Sequence, residues 1–386
     1  MRVDKLELED FRNYIHESIV LAPGLNLIVG PNAQGKTNLL EAVHCLGGLG
    51  SPRTQDSALV REGAERGVIH ADVTRGERTV RIDLEVKVGG SSRALLNKTP
   101  VRSIRSLGEV SVSVFFGPDE LSLVKGSPEG RRRFLDDLVV KLRPTRDSLR
   151  REWERVLRQR NALLKSAPRT RTASTEATLE VWDEALVKAG AALTAARLQA
   201  IGLLVPHAGR RYETVAGHPG IALGYVSSWV EEGFGADALG SPGAVDEDLL
   251  RKMLAAKLDE VRVKELERGI SLAGPHRDDI SVRLPGTDTS VLLDARTHAS
   301  QGDQRTAALA LKLGEHDLLT DSLGDQPTLL LDDVFSELDP SRRAWLAESV
   351  ASVGQTLITT TSDADVGLAN VEAIFDVDAG AVTRRG

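Results

Sequence analysis

Apolar positions near the start of the chain, Val3, Leu6 and Leu8, recur among charged neighbours in the manner of a half-buried strand ending at the turn-like "FRNY". A second strand, "GLNLIVG", runs into a glycine-rich loop, and "TNLLEAVHCLGGLG" continues as a helix closed by glycines. Between 68 and 97 the stretch "VIHADVTRGERTVRIDLEVKVGGSSRALLN" predicts antiparallel strands separated by RGE and GGSS turns. "VSVSVFF" (110–116) predicts one more strand, with Phe115 and Phe116 as core residues, stopped by the breaker "GPDEL".

From residue 118 the period becomes helical. Residues 128–165 and 175–205 read as two long helices joined by "SAPRTRTAST". Leu149, Trp153, Val156 and Leu163 fall on one face, a helix-pair seam of a few turns rather than a long coiled-coil arm. "VSSWVEEGFGADALGSPGAVDED" reads as a loop or lobe edge, and strand character returns at "DDISVRL" and "SVLLDA". There follow a helix opened by "SQGDQR", a strand within "PTLLLDDV", a helix near 340–352 and the strand "TLITTT". No internal repeat is visible. The simplest organisation is one α/β domain, 1–117 with 266–386, split by an inserted, mostly helical lobe at 118–265.

A length of 386 residues suits about two to three domain-sized units. Hydrophobic content of 41% and charged content of 27% describe a globular protein. The single cysteine, Cys45, excludes an internal disulfide and fits a reducing cytoplasm. The charged start "MRVDKLELEDF" is no signal peptide, and no run approaches the roughly 18 apolar residues of a membrane span. The expectation is a soluble cytoplasmic protein with no membrane partner. Net charge of -7 argues against a bulk polyanion binder, yet residues 125–171 hold fifteen Lys and Arg against six Asp and Glu. Local fields of that kind matter more than the total.

The clearest chemistry lies at residues 30–37, GPNAQGKT, which fit G-x-x-x-x-G-K-[ST] between a strand and a helix. Gly30 and Gly35, with Pro31, Asn32, Ala33 and Gln34 between them, let backbone N–H groups curl around phosphate oxygens at a helix N-terminus. Lys36 can reach the β- and γ-phosphates, and the Thr37 hydroxyl can hold Mg²⁺. A glycine turn with a surface lysine is the plainer alternative; the flanking elements weigh against it. In "TLLLDDVFSELDPSRR" the leucines suit a parallel strand buried on both faces, with Asp332 and Asp333 at its C-terminal end, where ligands bind in such sheets. Asp332 would face the Mg²⁺ through water and Asp333 would poise the attacking water; capping the next turn is the alternative.

The helix beginning at 300 adds a second anion site. Ser300 is an N-cap candidate, Gly302 permits close approach, and the first turn offers free N–H groups. One nucleotide has no use for both loops unless the second comes from another molecule. Phosphate loop, S-x-G-x-Q helix and paired acids together resemble the ABC-type ATPase head, an α/β P-loop fold with a mixed sheet. In that family two heads sandwich two ATPs, each signature helix capping the γ-phosphate on the opposite subunit.

Among such heads the chain resembles the RecF family of recombinational repair proteins, through "LELEDFRNY", "GPNAQGKTNLLEAV", "VKGSPEGRRRFLDD", "QRNALLK", "GPHRDD", "SQGDQR", "LLLDDVFSELD" and "ITTT". Residues 205–265 carry little of the match. The resemblance implies an ATP-dependent homodimer that binds DNA in post-replication gap repair. It implies partners of the RecR and RecO type, indirect help to the recombinase RecA against single-strand binding protein, and links to replication restart and the SOS response. It also assigns residues. Gly30 to Thr37 match the phosphate loop, and Ser300, Gln301, Gly302 and Gln304 the signature. Lys36, Asp332 and Asp333 take catalytic roles, and Ser336 to Asp339 match the D-loop that crosses the dimer interface. Thr359 to Thr361 stand where transporter heads place a switch histidine, and Arg12 and Asn13 match a loop that contacts the nucleotide.

Some features depart from general ABC heads. Ala299 precedes Ser300 in place of leucine, Asp303 follows Gly302, and no lid glutamine is evident near "FFGPDEL". The second acid, Asp333, is shorter than the usual Glu, so slow, DNA-stimulated turnover is expected. Arg131, Arg132 and Arg133, with arginines from 143 to 160, suit DNA phosphates. They suit equally well a solvated helix face with pairs such as Glu154 with Arg158. "GPHRDD" reads as a structural or interface turn rather than a metal site. At 4% aromatics, a stacking platform for single strands has little support, and duplex or junction contact is favoured. The expected mechanism is a switch in which ATP closes two heads on DNA and hydrolysis opens them. The alternatives are a nucleotide-gated scaffold that scarcely hydrolyses and an ABC transporter subunit, the latter disfavoured by the basic insert and the missing lid glutamine. A structural-maintenance-type head is disfavoured by the short insert.

Overall fold

The computed structural model describes residues 1–166, 173–230, 245–286, 291–362, 368 and 370–385. Residues 167–172 of the linker "SAPRTRTAST", most of the loop after "VSSWV" and Ser290 of "SVLLDA" lie outside the described residues. The chain forms two compact units, Met1–Leu121 with Ala308–Gly386, and Ser122–Ala307. The sequence pattern set the return at 266. Residues 266–307 belong instead to the second unit, because the strand starting at Asp279 pairs with the one at Ala222–Val226.

The first unit begins with β1 (Arg2–Phe11), β2 (Tyr14–Val20), β3 (Leu25–Val29) and α1 (Lys36–Cys45). It continues with β4 (Arg66–Arg75), β5 (Arg78–Lys87), β6 (Arg93–Leu96), β7 (Thr99–Pro100) and β8 (Ser113–Phe116). In the second unit are α2 (Ser122–Lys125), α3 (Pro128–Leu142), α4 (Asp147–Ser166), α5 (Ala173–Ala216), β9 (Ala222–Val226), α6 (Glu247–Arg268), β10 (Asp279–Pro285), β11 (Leu292–Asp294) and α7 (Ala295–His298). The helix α8 (Gln301–Leu323) carries the chain back to β12 (Thr328–Asp332), α9 (Pro340–Ala351), β13 (Thr356–Thr360), β14 (Val371–Asp378) and β15 (Ala381–Arg384).

The first unit holds two sheets, ordered β2-β1-β4-β5-β6-β7 and β15-β14-β3-β13-β12-β8. The former is antiparallel; in the latter β14, β3, β13, β12 and β8 run parallel and β15 antiparallel. One core joins α1 (Leu39, Leu40, Val43) to inward residues of both sheets, among them Leu6, Leu8, Ile69, Ile82, Ile28, Leu330 and Leu357. Leu329, Leu330 and Leu331 are all buried, as a strand covered on both faces requires. Strand β8 is shorter than the pattern at 110–116, because Val110 and Ser111 donate backward to Leu107 O and close a turn.

The second unit packs α4, α5 and α6 around Trp153, Val156, Leu186, Leu193, Leu250, Leu254 and Leu258, and adds a small sheet ordered β11-β10-β9. The helix expected over 128–165 is broken: Arg143, before Pro144, is extended at φ -150, and a short turn at Pro144–Arg146 intervenes. The second helix, expected to stop at 205, runs on through Pro206, held by the buried Leu204 and Ala208 on either side. On α4 the buried face is Trp153, Val156, Arg160 and Leu164, with Leu163 half-buried. One stretch does reach the apolarity of a membrane span: Glu176–Ala216 contains an 18-residue window of mean hydropathy 1.3, of which 67% is buried within the protein. Packed between α4 and α6, it is a core helix.

Candidate functional site

Strand β3 is buried throughout and delivers the chain into loop 30–35 and then α1. The loop's geometry demands its glycines. Gly35 has φ 116, and a Cβ on Gly30 would lie 2.3 Å from Val377 O. Lys36 is buried, its Nζ donating to Gly30 O at 2.6 Å and Pro31 O at 2.8 Å. Burial lowers its pKa, opposed by the charges of Asp333 and Asp332.

Thr37 Oγ1 donates to the Asp332 carboxylate at 2.8 and 2.9 Å. Asp332 stands directly opposite Thr359 in the β12–β13 register, and Thr359 Oγ1 donates to Asp332 Oδ1 at 2.7 Å. The same Thr359 oxygen accepts from the Asp333 backbone N–H at 2.9 Å. Burial raises the Asp332 pKa from its ordinary value, opposed by the Thr359 and Thr37 hydroxyls. Asp333 adopts φ 51, and among the described residues its Oδ1 is buried without a hydrogen-bond partner. Lys36, Thr37, Asp332, Asp333 and Thr359 thus converge. The Thr360 hydroxyl turns away to donate to Ser362 O, and Thr361 is exposed. Beyond Asp333, Ser336 Oγ returns to Asp333 O at 2.8 Å, and Asp339 caps α9. The side chain of Glu337, between them, is outside the described residues.

The "FRNY" residues divide. Arg12 Nε and Nη2 grip the buried Glu41 at 2.7 and 2.8 Å, Nη1 reaches Ala58 O and Nη2 also Thr54 Oγ1. All three nitrogens serve protein acceptors, so this geometry gives no support to Arg12 as a nucleotide contact. Asn13 does face the loop, its Nδ2 donating to Gln34 O at 2.9 Å. Sequence reasoning missed Tyr14, whose buried hydroxyl donates to Gly35 O at 3.0 Å, and the β14–β15 turn, which touches Gln34. No local signal links that turn to the loop.

In the second unit Ser300 caps α8 as expected: Asp303 N donates to Ser300 Oγ at 3.2 Å, and Ser300 Oγ donates to Asp303 Oδ2 at 2.7 Å. Gln301 is exposed and Gly302 half-buried, so the tip is open. Gln304 is not part of it. Its buried amide folds back to Ala295 O at 2.9 Å, a packing role in place of the expected ligand contact.

The arginine run also needs correction. Arg131 is 4% exposed and forms a bidentate pair with Asp279 at 2.7 and 2.8 Å, which removes it from any DNA-contacting set. Arg132 donates to Asp278 O, and Arg133 lies 3.8 Å from Asp137. Further along, Arg143 and Arg158 are exposed, and Arg146 donates to Gln199 Oε1 at 3.0 Å. Burial and the neighbouring Arg143 both lower the Arg146 pKa. Glu154 lies 3.8 Å from Arg150, an ion pair formed in the direction opposite to Arg158.

The "GPHRDD" segment is a packed turn. Asp278 accepts from Tyr225, Ser227 and Trp229, and burial raises its pKa to about 6. His276 packs on Trp153 with ring centroids 5.6 Å apart, and burial depresses its pKa to about 4.

Comparison with known proteins matches residues 2–381 to the family described as the RecF/RecN/SMC N terminal domain. The chain is 44% identical to the DNA replication and repair protein RecF of Beutenbergia cavernae, each chain covered over 100% of its length. It is 42% identical to that of Streptomyces avermitilis with the same coverage. A solved structure of the recombination mediator protein RecF with ATPrS in the RecFOR pathway superposes with TM-score 0.86 at 28% identity, covering 100% of this chain and 98% of the other. A second, with ATP, gives TM-score 0.86. An Smc head domain from Pyrococcus furiosus matches at TM-score 0.51 and 17% identity, a likeness of fold alone.

Proposed function

The chain belongs to the RecF family of ABC-type ATPase heads, and from that premise we propose that it is an ATP-driven switch that binds DNA in recombinational repair. One observation carries the reading: the Thr37 hydroxyl and the Asp332 carboxylate meet beside buried Lys36 and Asp333 Oδ1, which is unpartnered among the described residues. The ATP and ATPrS forms of the matched RecF structures support ATP as the nucleotide. In this reading Gly30 to Thr37 hold the phosphates. Lys36 exchanges two neutral carbonyls for anionic oxygens, which adds ion–ion attraction to bonds whose donor is already charged. Thr37 and Asp332 would hold Mg²⁺, a hydroxyl and a carboxylate being oxygen ligands that suit it, and its charge would offset the cost of burying ionised Asp332. When bound, the ion would supply positive charge to the phosphate oxygens. Asp333 orients the attacking water and takes its proton.

Ser300, Gln301 and Gly302 of one chain complete the pocket of a second, so ATP closes two copies head to head. Closure completes a DNA-binding surface for duplex or single/double-strand junctions, and slow hydrolysis releases it. RecR- and RecO-type proteins are the direct partners and RecA loading the indirect result, with roles in replication restart and the SOS response in the cytoplasm. Light scattering tests the switch. With ATP and Mg²⁺, with and without DNA, the protein mass of the Asp333→Asn species is expected to double; a monomer under all conditions refutes it.

As DNA contacts, Arg143, Arg146 and Arg158 replace Arg131: Arg143 and Arg158 are exposed, and half-buried Arg146 donates to a neutral amide, Gln199 Oε1. Changing all three to Ala is expected to weaken DNA binding and to lower the slope of log affinity against log salt by roughly two to three, at about 0.9 per phosphate contact. Unchanged affinity and slope would clear this face of the role.

A further inference from the structure

The phosphate loop is braced by a turn 345 positions away along the chain. Strands β14 and β15 pair with Asp378 opposite Ala381, which leaves a two-residue turn, Ala379 and Gly380. Both take positive φ, 48° and 82°, the left-handed geometry of a tight hairpin, natural for glycine and strained for alanine. That turn seats on Gln34. Ala379 N donates to Gln34 Oε1 at 2.6 Å and Gly380 N to Gln34 O at 3.3 Å. Asn13 Nδ2 reaches the same carbonyl at 2.9 Å.

The fit has no slack. A Cβ on Gly380 would lie 2.9 Å from Asn13 O, and one on Gly30, at the loop's other end, 2.3 Å from Val377 O. Both ends of the loop therefore press on β14 or its turn. The hairpin is anchored by Val382 N, which donates to Glu17 Oε2 at 2.9 Å, and is braced internally by Arg385, which pairs with Asp376 at 2.7 Å.

A loop with Ala33 at φ 64° and Gly35 at φ 116° has costly backbone to order, and a ligand must supply whatever ordering the fold does not. We infer that the C-terminal hairpin is a clamp that preorganises the phosphate loop through Gln34 and thereby sets nucleotide affinity. The inference rests on the nucleotide reading above, with Ala379 and Gly380 as positioning residues and the Gln34 side chain as their contact on the binding loop.

Titration of ATP with Mg²⁺ into the full chain tests it. Gly380→Ala and Gln34→Ala are each expected to weaken ATP binding by roughly three- to tenfold, the range of a lost neutral hydrogen bond or two. For Gly380→Ala the loss should fall on KM, with kcat at saturating ATP little changed. The double variant should match the weaker single variant, because both cut one coupling. Ala379→Gly, which keeps the donor and relieves the left-handed alanine, should bind at least as tightly as the unaltered chain. Wild-type affinity in Gly380→Ala, or fully additive losses, would overturn the clamp and leave the nucleotide site standing. Failure of the unaltered chain to bind ATP would overturn both. Should Gly380→Ala fail to fold by circular dichroism, Gln34→Ala against Ala379→Gly decides the question, equal affinities refuting the clamp.

Discussion

Asp333→Asn is expected to cut ATP turnover by about 10²- to 10⁴-fold while ATP affinity stays within a few-fold of the unaltered chain. The substitution is chosen for its backbone. Asp333 has φ 51, a left-handed conformation that asparagine tolerates and most residues do not. Its N–H bond to Thr359 Oγ1 and its carbonyl bond from Ser336 survive the change, because neither involves the side chain. What is lost is a carboxylate that can take a proton from water. Oδ1 is the oxygen free to do so, buried and without a partner among the described residues. Asp332→Asn is a different experiment, since it disturbs the Thr37 and Thr359 hydroxyls and with them binding itself. Phosphate release and direct ATP titration on the same sample separate the two. Turnover near the wild-type value in Asp333→Asn would take the base role away from this residue. Negligible release in the unaltered chain, with tight ATP binding, would favour the nucleotide-gated scaffold.

The reacting groups were legible because their signals are local. Eight consecutive residues between a strand and a helix announce the phosphate loop, and two acids after an unbroken run of leucines announce the end of a parallel strand. What orients them was not legible. Thr359 meets both acids only because β13 lies between β3 and β12 in register with Asp332, and strand order is a non-local property. The same limit applies to charge. Arg131, Arg132 and Arg133 look alike in sequence, yet Arg131 is withdrawn into the fold by Asp279, 148 positions away. Proline shows the competition between local and tertiary forces. Pro144 ends α3, because the residue before it takes the extended conformation that a following proline favours. Pro206 leaves α5 intact, because residues on both sides of it are buried in the core.

Arg160→Ala is expected to destabilise the helical unit by about 3–5 kcal/mol, the cost of leaving a buried charge without its partner. The Arg160 side chain is 0% exposed, a placement its arginine-rich surroundings do not suggest. Its Nε donates to Asp183 Oδ1 at 2.7 Å, Nη1 to Ser271 Oγ at 2.8 Å and Nη2 to Glu265 Oε2 at 2.6 Å. The guanidinium thus ties α4 to α5, to α6 and to the turn after α6. Its two carboxylates differ in what remains without it. Asp183 keeps Arg262, whereas Glu265, also 0% exposed, keeps among the described residues only the Leu272 N–H at 2.6 Å. The penalty therefore centres on Glu265. Arg160→Met, which restores the apolar stem without the charge, should recover little. Adding Glu265→Gln to Arg160→Met should recover a substantial part, a non-additivity that identifies the buried charge as the cause. Trp153, Trp182 and Trp229, three of the chain's 4 tryptophans, lie in this unit, so urea unfolding followed by tryptophan fluorescence reports on it directly. The midpoint should fall at an unchanged slope. A loss below about 1 kcal/mol, the scale of an exposed ion pair, would mean that Arg262 or solvent compensates Glu265 and that Arg160 is not the keystone of the helical unit.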